Sequence, residues 1–230
     1  NKDVKKHVNT IKAQVAVYKV NNDFKQAGEL LKGLADNTKT LEDIWEYAFF
    51  IDNQNNLSEA LKYYQTYIDK MGKDLVLDDK TRRRQKARAH NNIGRIYWLM
   101  YKYEEAEAAY NMSLNCNRGI DGIFADSMRY AYTLANIAIL LKDKYEYDKA
   151  ESYYIQSHNL YKNLSNVPMK DRLYYEALLA NNIGNLYRII KRIDDSERMF
   201  KAAVDLYNRL EQFTKDYIYE RARTERNLAD

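Results

Sequence analysis

Small and apolar residues recur along the chain in columns. A small residue stands at Ala48, Gly94, Ala138, Gly184 and Ala229, with Val15 in an earlier, weaker copy. Three residues further on come Tyr18, Ile51, Tyr97, Leu141 and Tyr187. Further columns hold Phe24, Leu57, Tyr103, Tyr147 and Ile193, then Ala27, Ala60, Ala106, Ala150 and Ser196, then Leu31, Tyr64, Tyr110, Tyr154 and Phe200. Positions three and four apart share one helical face. The first two columns therefore predict a first helix, and the large–small–large set predicts a second. Small residues mark places where backbones cross closely. A bulky side chain at Ala106 or Ala150 would overpack such a crossing, at about 1–3 kcal/mol. The predicted unit is an antiparallel helix pair, which covers its second face only by stacking on the next pair. The fold class is all-α, a solenoid of such pairs.

The NNIG-x-x-Y pattern of residues 91–97 and 181–187, with the Y-x-x-A-x-x-x-Y pattern of 103–110 and 147–154, resembles the tetratricopeptide repeat (TPR) family. The resemblance covers essentially the whole chain, in five copies plus a sixth first helix. It implies a right-handed superhelix whose first helices line a concave groove. Repeats of this family usually run about 34 residues. Here the small position recurs after 33 residues and then after 46, 44, 46 and 45. The Pro that usually closes each repeat is missing, and Pro168 lies in a turn before a first helix. The added residues read as helical extension, because Tyr130, Leu134, Ile137 and Leu141 continue one apolar stripe, as do Tyr174, Leu178, Ile183 and Tyr187. The longer, Asn-containing unit is similar to the kinesin-light-chain type of TPR. It also resembles arrays that follow signalling or effector domains in large bacterial proteins.

Turn signals at Asn53–Asn56, Gly72–Asp79, Arg118–Gly122 and Ser165–Lys170 divide one domain, 1–230. The expected units are 1–36, 37–78, 79–119, 120–166 and 167–213, with a partial or capping helix in 214–230. The chain begins at Asn1 without an initiator Met and ends within a helical pattern, so it reads as a fragment of a larger protein; a cytoplasmic location is a separate expectation.

Composition narrows the functional classes. The 230 residues are 46% hydrophobic and 30% charged, with one Pro and seven Gly, which excludes collagen-like and disordered chains and favours long helices. The single Cys116 excludes a disulfide framework and a Cys-rich zinc site. No apolar run reaches about 18 residues, so no membrane span is expected. His7, His90 and His158 stand far apart with no metal-ligand spacing. Gly119-Ile-Asp-Gly122 is a short turn, not a phosphate loop. Cys116 has no base partner and reads as a structural thiol. Most of the 22 Tyr fill repeat columns. The expectation is no enzyme, no cofactor and no metal.

One polar column stands out. Asn92, Asn136, Asn182 and Asn227 each fall two residues before the small position of a first helix. Asn costs about 0.5–0.7 kcal/mol against Ala inside a helix, so repeating it calls for compensation. An amide offers donor and acceptor together and can bracket a peptide unit. With helices about 10 Å apart and an extended chain rising about 3.3 Å per residue, one Asn would hold roughly every third residue. Groove Asn residues hold peptide backbones in families this sequence resembles, and these positions match that pattern. The alternative is that each Asn bonds the adjacent helix and only fixes the superhelix.

Around this column Arg88, Asn91, Arg95 and Trp98, with Arg84, follow one helical face, and Asn181, Asn185 and Arg188, with Arg223 and Arg226, continue the wall. Trp98 is the expected aromatic anchor. Glu42, Glu46 and Asp52 make the second unit acidic. Arg82, Arg83 and Lys86 read as solvated helix surface. The net charge is +4. The function expected is a protein-interaction scaffold that binds an extended protein or peptide segment with an acidic part along the groove. A structural spacer or self-association element, contacting other domains of the parent chain, is the alternative. A nucleic-acid partner is disfavoured, because the aromatics that would stack on bases belong to the core.

Overall fold

The computed structural model describes residues 2–74, 76–118, 126–164, 167–213 and 217–229. They form eleven helices, and among the described residues there is no β-strand. The helices are α1 (Lys2–Val20), α2 (Phe24–Thr38), α3 (Leu41–Asn53), α4 (Leu57–Lys73), α5 (Asp79–Leu99), α6 (Tyr103–Asn117), α7 (Ser127–Asp143), α8 (Tyr147–Lys162), α9 (Met169–Ile189), α10 (Ile193–Glu211) and α11 (Ile218–Ala229). Odd-numbered helices are the first members of successive pairs. Each helix packs mainly on its chain neighbours, and α5 also meets α7 directly. The architecture is the all-α solenoid of helix pairs that the columns predict.

Local chemistry sets the ends of these helices. Asp23, Thr40, Asp78 and Asp126 each accept a backbone N–H from the following first turn. These caps satisfy donors that have no partner within the helix. The five turns inside the pairs are alike. Asn22, Asn55, Tyr101, Tyr145 and Lys191 all take a left-handed backbone, with φ between 58° and 64°. The next N–H reaches back five residues to the carbonyl of Tyr18, Ile51, Tyr97, Leu141 or Tyr187. This closure caps the first helix and turns the chain within three residues.

The small columns sit at the helix crossings. A Cβ added at Gly94 would stand 2.6 Å from the Tyr110 ring, and one at Gly184 would stand 2.8 Å from Phe200. Ala48, Ala60, Ala106, Ala138 and Ala150 have no exposed surface. At the Gly94 and Gly184 crossings the large ring of the second helix lies directly over the small residue of the first. The extra length of the later repeats is helical: α5 and α9 run 21 residues against 13 for α3.

One expectation changes here. Arg82 and Arg83 are not idle solvated residues. Arg82 Nη2 donates to the carbonyls of Asp74 and Leu77, at 2.6 and 2.8 Å, and ties down the approach to α5. Arg83 Nε donates to the Cys116 carbonyl at 3.1 Å, and its Nη2 donates to that of Arg118. A guanidinium there meets the negative end of α6. The Gly119 and Gly122 turn and the Ser165–Asn166 part of the next turn lie outside the described residues. The first of these is bracketed by Asn117, whose amide both donates to the Asp126 carbonyl and accepts from its N–H, each at 2.8 Å.

Candidate functional site

The first helices meet along one wall, and polar side chains cross all but one of the junctions. Between α3 and α5, Arg95 pairs with Asp52, which is only 5% exposed. Tyr64 donates its hydroxyl to the same carboxylate at 3.2 Å, and Asn92 donates to the Tyr64 oxygen at 2.9 Å. Burial opposes the charge on Arg95, but the Asp52 carboxylate overrides it and raises the guanidinium pKa. Asp52 therefore adds no open negative charge to the second unit, and Arg95 adds no open positive charge to the groove.

Between α5 and α7, Asn136 Nδ2 donates to Asn91 Oδ1 at 2.9 Å, and the Thr133 hydroxyl donates to the same oxygen at 3.2 Å. Asn91 and Asn136 are both buried. Trp98, expected as an aromatic anchor, instead donates its indole N–H to Asp143 at 2.8 Å. Between α9 and α11 the amide pair recurs: Asn227 Nδ2 donates to Asn181 Oδ1 at 3.1 Å. Asn185 donates to the Asn181 carbonyl at 3.0 Å, and Arg188 donates to Asn185 Oδ1 at 3.1 Å. Arg188 also lies over the Phe200 ring at 5.8 Å.

Between α7 and α9 the pair is incomplete. The place of Asn91 and Asn181, three before the small position, is taken by Ala135. Asn182 has no hydrogen-bond partner among the described residues. Of the expected Asn column, three side chains are engaged inside the fold and Asn182 is left open. The clue lies in the sequence: NNIG at 91–94 and 181–184 carries two adjacent Asn, whereas ANIA at 135–138 carries one.

A cleft of about 790 Å³ opens beside this wall, across α1, α3, α5 and α7. Arg88 stacks 4.1 Å above the Trp45 ring, and Phe49 beside it is 44% exposed. Arg84 and Arg129 also line the cleft. Most acids here are matched: Glu42 to Lys12 at 2.6 Å, Glu46 to Lys19 at 3.4 Å, and Asp126 to Arg129 at 3.5 Å. Arg84 and Arg88 have no ion-pair partner among the described residues. Burial, and after it the Arg129 charge, pushes the Arg88 pKa down. An incoming anion would relieve that repulsion. Sequence reasoning finds Arg84 and Arg88 but misses Trp45, Phe49 and Arg129. Trp45 holds the same column position as Asn91 and Asn181, which is the signal that finds it.

Elsewhere the reactive groups are quiet. Burial lowers the pKa values of His90 and His158 and raises that of Cys116, the opposite of an activated thiolate. Among the described residues no three His, Cys, Asp or Glu side chains gather as a metal site. No described helix is long and apolar enough to cross a membrane.

A tetratricopeptide-repeat family model matches residues 131–168 and 177–211. Those two stretches are tetratricopeptide repeats. The array is similar in fold to BtubC (BKLC) from P. vanneervenii, with a TM-score of 0.69 and 17% identity over 89% of this chain and 81% of that one. A kinesin-light-chain-type protein of Podosopora anserina, built of nearly identical TPR-like repeats, gives a TM-score of 0.59 and 13% identity over 88% and 96% of the two chains. MamA gives 0.58 and 15% over 86% and 96%. No curated protein matches the chain at a significant level. The chain shares the all-α, right-handed superhelical fold of these neighbours.

Proposed function

We propose that this TPR array binds an extended protein segment with an acidic part along the wall of its first helices. The observation that carries the reading is the cleft in which Arg84 and Arg88 stand without acidic partners beside Trp45 and Phe49. Arg88 stacks on Trp45, but neither it nor Arg84 faces an acid that neutralises it, and Arg129 adds a further positive charge beside Arg88. These cations attract and orient an acidic segment, since charges at an interface steer encounter and fix register. The aromatic pair offers apolar contact of the kind that anchors interfaces. The open amide of Asn182 lies further along the same wall, where it can bracket one peptide unit of the ligand. Recognition is multipoint and non-covalent, and the array needs no catalytic group of its own.

Random 12-residue peptides displayed on phage would test this. Selection on the wild-type array is expected to enrich peptides bearing Asp or Glu, with binding that weakens as salt rises. The folded Arg84→Ser/Arg88→Gln variant is expected to lose that enrichment. Equal enrichment on both proteins, or none on the wild type, would overturn the reading.

A further inference from the structure

The missing amide pair between α7 and α9 leaves more than an open Asn. A pocket of about 160 Å³ lies at this junction, beside Asn182 and Ala135. Its walls include Tyr132, Tyr161, Tyr175 and Leu178. The rings are fixed by each other and by the backbone. Tyr161 stacks on Tyr175 at 5.1 Å, Tyr132 meets Tyr175 edge-on at 5.9 Å, and the Tyr161 hydroxyl donates to the Met128 carbonyl at 3.1 Å. The pocket is therefore preformed, apolar on its sides and polar at Asn182, the usual make-up of a binding site.

From these observations we infer that Ala135 opens a subsite between α7 and α9 for one phenyl- or leucine-sized side chain of the bound segment. The inference rests on the groove reading above and adds the side chain it selects. Volume sets the occupant. A cavity of about 150 Å³ holds one benzene ring, so this pocket, at about 160 Å³, admits a Phe or Leu side chain. Repeat equivalence sets the cause. An Asn at 135 would stand to Asn182 as Asn91 stands to Asn136, and would close the space with an amide pair. Register follows from α7. Arg129 lines the cleft and Tyr132 lines the pocket. They stand three residues apart, about 4.5 Å along the helix, which an extended segment crosses in one to two residues. The bound segment carries its acidic part toward α5 and its apolar side chain at the α7–α9 junction.

The test uses the whole chain with toluene as the probe and the methyl groups of Ala135, Ile139, Leu178 and Leu179 as reporters in NMR. Toluene is expected to shift these methyls in the wild type. In Ala135→Asn, whose melting temperature should be unchanged or higher, it should shift none of the remaining reporters. No shift in the wild type, or equal shifts in the variant, would overturn the subsite. The display selection is then repeated on both proteins. The wild type should favour Phe or Leu over small and polar residues at one position, and Ala135→Asn should reduce that preference about tenfold while keeping the acidic one. Toluene binding without any Phe or Leu preference would overturn the side-chain assignment. Loss of the acidic preference on the wild type would instead count against the groove reading itself.

Discussion

The α5–α7 and α7–α9 junctions join the same kinds of helix by the same column, yet they differ by one amide. At the first, Asn136 donates into Asn91 and the junction is closed by buried polar groups. At the second, Ala135 offers no acceptor and Asn182 faces a pocket. The α9–α11 junction returns to the closed form through Asn227 and Asn181. A repeated Asn thus has no fixed meaning. What it does depends on the residue three before the small position of the preceding first helix. With Asn there, the amide locks two repeats; with Ala, it is left without a partner among the described residues and lines a pocket. The α3–α5 junction has Trp45 in that place and uses an ion pair, so Asn92 turns to Tyr64 instead.

The strongest way to break the comparison is to remove the charge from the α3–α5 junction. Arg95→Ala leaves Asp52 buried without its counter-charge. Losing one partner of such a pair costs about 3 kcal/mol, read as a lower midpoint in urea unfolding. Next comes the amide itself. Asn91→Ala strands the buried amide of Asn136 and should cost about 2 kcal/mol. Asn182→Ala, by contrast, should stay within about 0.5 kcal/mol, as surface changes do. Equal losses for Asn91→Ala and Asn182→Ala would mean that the two junctions do not differ as the hydrogen bonds indicate.

Much of this is legible in the sequence. The columns place the helices, the crossings and even the rings that cover Gly94 and Gly184, because close packing demands small against large at fixed spacing. The phase of the Asn column is also legible. Its partners are not, because a hydrogen bond between Asn91 and Asn136 spans 45 residues and depends on how two pairs stack. For the same reason Asp52 and Arg95 read in the sequence as two separate surface charges. Trp98 reads as an anchor because its neighbours on the helix face suggest the groove, whereas Asp143 on the next pair claims its N–H.

A smaller effect depends on pH. His90, on the α5 side, and His158, on α8 near Glu176 of α9, both have pKa values lowered chiefly by burial; Lys86 adds to this at His90, and at His158 Glu176 opposes it while Lys162 adds to it. The folded values lie below the ordinary 6.5, so the unfolded chain takes up protons first. Their contribution is complete above about pH 6.5 and is lost as pH falls below it. Melting temperature should therefore drop between pH 7 and pH 5, and less steeply in a His90→Gln/His158→Gln variant. An identical slope in that variant would assign the drop to carboxylates instead. Comparing the single variants tells which of the two histidines contributes more to the loss in acid.

The smallest effect asks whether the two junctions differ anywhere besides the amide. Tyr101 ends the turn after α5 and Tyr145 the turn after α7, with φ of 59° and 64°. Both are well exposed, at 81% and 79%, and each ring lies about as far from the next Tyr, 6.4 Å to Tyr103 and 6.2 Å to Tyr147. A left-handed backbone costs a residue with a Cβ about 1–2 kcal/mol, and glycine avoids this but loses about 0.5–1 kcal/mol through its freer unfolded chain. Tyr101→Gly and Tyr145→Gly should each stabilise the array by about 0.5 kcal/mol, measured by urea unfolding. Because the turns share one geometry, the two gains should be equal. An unequal pair would carry the difference between the junctions out of the Asn column and into the turns, and Ala135 would then no longer account for it alone.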